Sequence, residues 1–206
     1  MIYLKNGEDV KGQNIEIFIN NEIIEEVNIN FREDINEIIK SKKNIRIIDL
    51  EGKTIMPGVI DIHTHMREPG ITLKEDFETG SRACAKAGIT TFYDMPNTIP
   101  TTTTLEALIE KKKLAKEKSI VNFGFHFGGS RNNNIDEIKK ILENGTGNTV
   151  KIFMNVTTGE MLIEDDNILE NIFKNSKLVL VHAENEMIDK AININQKYGN
   201  GLYVCH

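Results

Sequence analysis

An α/β architecture is what this sequence predicts: a (β/α)8 TIM-type barrel truncated after about six strands, preceded by a small N-terminal β-sandwich segment. Three observations predict it. From Met56 onward, short apolar runs alternate with amphipathic stretches, and strict strand-helix alternation implies a parallel sheet with crossover helices. The five histidines, His63, His65, His126, His182 and His206, each fall at or near the C-terminal end of an expected strand, the end where barrel loops converge on one mouth. Residues 1–56 lack the alternation and read as strands of period two, so the expected domains are 1–56 and 57–206.

The composition is that of an ordinary globular chain: 206 residues, 39% hydrophobic, 27% charged, net charge −6 and no tryptophan. No apolar run approaches a membrane span, and Met1-Ile2-Tyr3-Leu4-Lys5 lacks the apolar core of a signal peptide. The expectation is therefore a cytoplasmic protein without a membrane partner. An acidic balance with no basic stripe argues against nucleic acid. Cys84 and Cys205 make neither a disulfide framework nor a metal-binding spacing with each other, so both are expected as reduced thiols.

Taken in order, residues 13–27 alternate about Asn20-Asn21, a hairpin signal. Residues 32–43 carry Ile35, Ile38 and Ile39 at helical spacing, and 44–50 form another strand. Beyond Pro57-Gly58 come a strand to His65, a helix over 74–87 closed by Gly88, a strand over 89–95 and a helix over 105–118. A strand over 120–127, a helix over 135–143, a strand over 149–156 and a helix over 166–174 follow. The pattern closes with a strand over 178–182, a helix over 184–198 and a strand from 202 to 206.

The chemistry centres on Pro57-Gly58-Val59-Ile60-Asp61-Ile62-His63-Thr64-His65-Met66-Arg67-Glu68-Pro69-Gly70. Side chains alternate across a strand, so His63 and His65 share a face with Asp61 and Arg67 and can reach one metal ion. A lone His-x-His is as readily an ordinary polar pair. Arg67 tips the balance, because a planar guanidinium beside a metal suits a substrate carrying a carboxylate. Lys151 opens the apolar run Lys151-Ile152-Phe153-Met154, where a buried ammonium is costly. Either it snorkels at the strand start, or its amine takes up carbon dioxide to become a carbamate able to bridge two cations.

These residues, with Asp94-Met95-Pro96-Asn97-Thr98, Phe77-Glu78-Thr79-Gly80-Ser81-Arg82 and Val181-His182-Ala183-Glu184-Asn185, resemble dihydroorotase, in the cyclic amidohydrolase branch of the metal-dependent amidohydrolases. The resemblance covers nearly the whole chain after residue 50. It implies two divalent metal ions, usually zinc: His63 and His65 on the more buried one, carboxylated Lys151 as the bridge, His182 and His206 on the second. It also implies that His65, Arg67 and Asn97 bind the substrate, N-carbamoyl-L-aspartate or dihydroorotate, and that the reaction belongs to pyrimidine synthesis. The lysine at 151 places the chain in the lysine-bearing branch, nearer there to hydantoinases and allantoinases. The metal-binding, proton-carrying aspartate that the family places on its eighth strand is expected beyond residue 206. No catalytic acid or base is expected within these residues, so the chain reads as an N-terminal fragment that is inactive alone. The alternatives are an allantoinase or hydantoinase, and a metal-free barrel scaffold; a homo-oligomer is compatible with all three.

The remaining candidates take blander roles: Asp61 and Asp94 as structural carboxylates, His126 as a core or supporting histidine, and Glu184 as a helix-capping carboxylate. Cys205 is expected to face away from His206 into packing, and Lys111-Lys112-Lys113 to form a solvated helix face.

Overall fold

The computed structural model describes residues 1–29, 37, 39–40, 44–156 and 160–206. The chain divides into two compact units, Met1–Pro57 and Gly58–His206. The helix expected over 32–43 falls for the most part outside the described residues.

In the first unit, β1 (Ile2–Glu8), β2 (Asn14–Asn20), β3 (Ile23–Ile29) and β4 (Arg46–Asp49) form one mixed sheet of order β3-β2-β1-β4. Asn21 and Glu22 both have positive φ, 46° and 67°, the backbone of the tight turn whose twist suits a hairpin. The expected hairpin is therefore present, its turn one residue later than the sequence suggests. Tyr3 lies opposite Phe18 in the β1–β2 register, and the two rings stack at 4.5 Å. The Tyr3 hydroxyl donates to Glu16 at 2.7 Å, which gives this buried pair its polar closure. Among the described residues this unit holds a single sheet.

The second unit is α/β. It runs β5 (Val59–Thr64), α1 (Phe77–Lys86), β6 (Ile89–Asp94), α2 (Leu105–Lys118), β7 (Asn122–Phe125), β8 (Phe127–Gly128) and α3 (Ile135–Glu143). It continues with β9 (Thr149–Phe153), α4 (Asp166–Lys174), β10 (Leu178–His182), α5 (Glu186–Tyr198) and β11 (Gly201–Val204). Every strand pair in this unit is parallel, in the orders β5-β6-β7 and β8-β9-β10-β11. The strand expected over 120–127 is divided at His126. β7 pairs with β6 and β8 pairs with β9, while the His126 amide still donates to Asp94 O at 3.0 Å.

Caps explain where the helices begin. Asp76, Thr104 and Asp165 accept from the first-turn amides of α1, α2 and α4, satisfying donors that no helical carbonyl can reach. The first helix accordingly starts at Phe77, three residues after the expected Lys74. Gly199, in the left-handed region at φ 66°, ends α5. Val150 and Ile152 of β9, Val179 and Val181 of β10, and Phe92 of β6 join Leu108, Ile172 and Phe173 of the helices in one core. Each such buried side chain contributes about 1.5–3 kcal/mol. Alternation sends Lys151, Leu180 and His182 to the other face of the sheet. Among the described residues no helix is long and apolar enough to cross a membrane.

Candidate metal centre

Four of the histidines meet at the C-terminal ends of β5, β10 and β11. The His63 ring lies 5.4 Å from that of His65 and 5.3 Å from that of His206, centroid to centroid, and His206 lies 4.6 Å from His182. His182 Nδ1 and His206 Nε2 face each other at 2.6 Å. His182 Nε2 is 3.2 Å from Glu184 Oε1 but makes no hydrogen bond.

Lys151 stands among them, 1% exposed. Its Nζ donates to Cys205 Sγ at 3.0 Å and lies 5.0 Å from the Phe153 ring centre. Burial pushes its pKa down, opposed only in part by Cys205, which favours the free amine. Burial first, then the charges of Lys151 and His206, lowers His63; burial, His206 and Lys151 lower His182. Burial, Arg67 and His63 bring His65 down to about 4. Neutral imidazole is the form that binds a metal.

His65 and Arg67 lie beyond the end of β5, so the loop rather than the strand pleat places them. His65 Nδ1 is 3.0 Å from Asn97 Oδ1. An amide oxygen only accepts, so Nδ1 carries the proton and Nε2 keeps its lone pair. Asn97, 5% exposed, is therefore first an orienting partner of His65. Arg67 adopts φ 61°, uncommon for a residue with a side chain, and its Nη1 is buried without a hydrogen-bond partner. Its neighbours are anchored on both sides. The Met66 amide donates to Asp94 Oδ1 at 2.6 Å, and Glu68 accepts from the Phe77 amide at 3.0 Å and pairs with Lys118.

Three supporting residues behave differently from expectation. Lys111, taken as part of a solvated lysine face, is fully buried and pairs with Asp94 at 2.6 Å. It lies on the buried side of α2 with Leu108 and Ala115, at three- and four-residue spacings that helical periodicity could have revealed. Cys205, expected to face away, meets Lys151, because β11 ends at Val204 and alternation no longer governs the next residue. Glu184 does not cap the helix, whose N-cap is Asn185; it lies against His182.

His126 ties strands together. Its Nε2 faces Ile62 O at 2.8 Å and its Nδ1 faces Thr149 Oγ1 at 2.8 Å. The carbonyl fixes the proton on Nε2, so Nδ1 accepts from the hydroxyl. Burial, then the charges of Lys151, His63 and Lys111, brings His126 down to about 4 against the help of Ile62. Asp61 accepts from the His63 amide at 3.0 Å.

Among the described residues no three histidine, cysteine, aspartate or glutamate side chains are already gathered for a metal. The imidazoles instead form a continuous row, His65, His63, His206 and His182. The donor set nevertheless suits metal. The rings of His63, His65 and His182 favour the neutral form, and Asn97 leaves the lone pair on His65 Nε2.

Parallel strands of the second unit thus bring four imidazoles together at their C-terminal ends, the end at which α/β barrel enzymes build their sites. The chain belongs to the amidohydrolase family, matching it over residues 54–205. It is 39% identical over 174 residues to a dihydroorotase of Methanosarcina acetivorans, covering 83% of this chain and 35% of that protein. A dihydroorotase of Methanosphaera stadtmanae is 34% identical, with 91% of this chain and 41% of that protein covered. An L-hydantoinase of Paenarthrobacter aurescens is 36% identical, covering 76% of this chain and 35% of that protein. Among solved structures, the L-hydantoinase (dihydropyrimidinase) from Arthrobacter aurescens matches with a TM-score of 0.82 at 28% identity, over 98% of this chain and 51% of that one. The chain thus spans less than half the length of these dihydroorotases.

Proposed function

We propose that these residues form the metal-binding and substrate-gripping part of a cytoplasmic dihydroorotase. The reaction is the reversible cyclisation of N-carbamoyl-L-aspartate to (S)-dihydroorotate with loss of water, a step of pyrimidine synthesis. In this reading the parallel strands belong to a (β/α)8 barrel and the N-terminal sheet to a β-sandwich. His63 and His65 hold one zinc ion, His182 and His206 hold the other, and Lys151 bridges them as a carbamate. The carbamate answers an electrostatic need, because neutral imidazoles leave two dications uncompensated while a carbamate replaces the lysine's positive charge with a negative one. The lowered pKa of Lys151 favours the free amine that takes up carbon dioxide.

When bound, the metal pair supplies a hydroxide near neutral pH and polarises the amide carbonyl. The chain's own residues position and discriminate. Asn97 holds the His65 ring in the tautomer that leaves Nε2 free. Arg67 receives the substrate carboxylate, and the proton-carrying aspartate implied by the resemblance is not one of these residues. The observation that carries the reading is Arg67 Nη1, buried and unpartnered beside a histidine whose pKa its charge helps to lower. A buried guanidinium nitrogen left without an acceptor favours a ligand that brings one. A hydantoinase or allantoinase is the second reading, favoured by the L-hydantoinase similarity, and it gives Arg67 no carboxylate to grip.

The test is Arg67→Met in zinc-loaded protein. Zinc content should be unchanged, while dihydroorotate affinity, measured by calorimetry, falls about tenfold to hundredfold, the worth of one charged hydrogen-bonding partner. Parallel loss of zinc and ligand would count against the role.

A further inference from the structure

We infer that the buried Asp94–Lys111 ion pair is a positioning device that sets the carboxylate selectivity of the site, by fastening the loop that carries Arg67 to the loop that carries Asn97. The inference rests on the proposed reading of Arg67 and adds two residues to it.

Asp94 ends β6 and Lys111 lies in the middle of α2, and both side chains are 0% exposed. Between them they make three contacts. Asp94 Oδ1 accepts from the Met66 amide at 2.6 Å, Asp94 Oδ2 meets Lys111 Nζ at 2.6 Å, and Lys111 Nζ donates to Met95 O at 2.8 Å. Met66 is flanked by His65 and Arg67, and Met95 lies two residues before Asn97. One carboxylate and one ammonium therefore hold the backbone of both arms from beneath. A further bond, from the Ile99 amide to Pro69 O at 3.1 Å, stitches the same two loops farther out.

A charge pair at this depth is hard to account for by stability alone, since apolar side chains of similar size commonly do as well or better there. What apolar side chains cannot do is accept from Met66 and donate to Met95. Arg67 needs such support, because its left-handed backbone persists only when its surroundings impose it. With Met66 released, the loop can relax, and the guanidinium moves away from the point where a ring carboxylate would sit next to the metals. A bidentate contact does not tolerate such a shift.

The test compares the affinities of zinc-loaded protein for dihydroorotate and for dihydrouracil, the same ring without the carboxylate, by calorimetry. In Asp94→Leu/Lys111→Met, zinc content and dihydrouracil binding should stay at wild-type values while the preference for dihydroorotate falls about tenfold or more. In Asp94→Asn/Lys111→Met an acceptor for Met66 survives, so the preference should fall less. Wild-type preference in folded Asp94→Leu/Lys111→Met overturns the inference, as does an equal fall in the two variants, or loss of zinc, dihydrouracil and dihydroorotate together. Should the wild type itself not prefer dihydroorotate, the carboxylate reading of Arg67 fails first and takes the inference with it. That outcome is distinct from one in which wild type and variants discriminate equally.

Discussion

Replacing His126 with glutamine should flatten the acid sensitivity of the chelator-treated protein. Glutamine keeps a donor for Ile62 O but cannot take up a proton near neutral pH. The unfolded imidazole titrates near about 6.5, and the folded one is brought down to about 4. Between those values the unfolded chain binds more protons than the folded one, so stability rises with pH. The contribution of neutral His126 is complete above about pH 6.5 and drains away as pH falls towards about 4. At 1.36 kcal/mol per pKa unit the ceiling is about 3 kcal/mol, and between pH 7 and 4.5 the loss is about 2 kcal/mol. Urea unfolding across that range measures it. Wild type should lose about 2 kcal/mol more than His126→Gln. Identical pH slopes in the two proteins would refute the reasoning, because His63, His65 and His182 are common to both.

Three further outcomes follow from the same contacts. Lys111→Met alone leaves the Asp94 charge buried without its partner, and the urea midpoint should report a loss of about 3–5 kcal/mol; Asp94→Leu/Lys111→Met should recover most of it. His206→Ala should remove one equivalent of bound zinc by atomic absorption, whereas Glu184→Gln should leave the zinc content unchanged. If Lys151 forms the bridge, intact mass spectrometry of zinc-loaded protein prepared with bicarbonate should find one added carbon dioxide, absent from Lys151→Met.

Much of the second unit was legible because its helices are amphipathic and its strands short and apolar. Leu105–Lys118, Ile135–Glu143, Asp166–Lys174 and Leu178–His182 lie where the periodicity puts them. The gathering of His63, His65, His182 and His206 follows from their places at or just past the C-terminal ends of parallel strands β5, β10 and β11. What stayed hidden depends on tertiary partners. Three consecutive lysines read as a solvated face, yet the helical turn sends the first inward to a carboxylate brought from another element. Cys205 was placed by strand alternation, which had already ended. Asn97 was read as a substrate ligand, while its contact with His65, 32 residues away, had no local signal. The split at His126 reflects a strand shared between two neighbours, which no single stretch of sequence encodes.

The outermost strands carry a practical consequence. β5 and β11 each pair on one side only among the described strands, and β5 presents Val59, Ile60 and Ile62 at 48%, 59% and 43% exposure. Bare amides beside branched apolar side chains are a template on which another chain can add. Concentrated samples should therefore drift towards larger species, visible by light scattering. A lysine in place of Ile60 should slow that drift without touching the histidines.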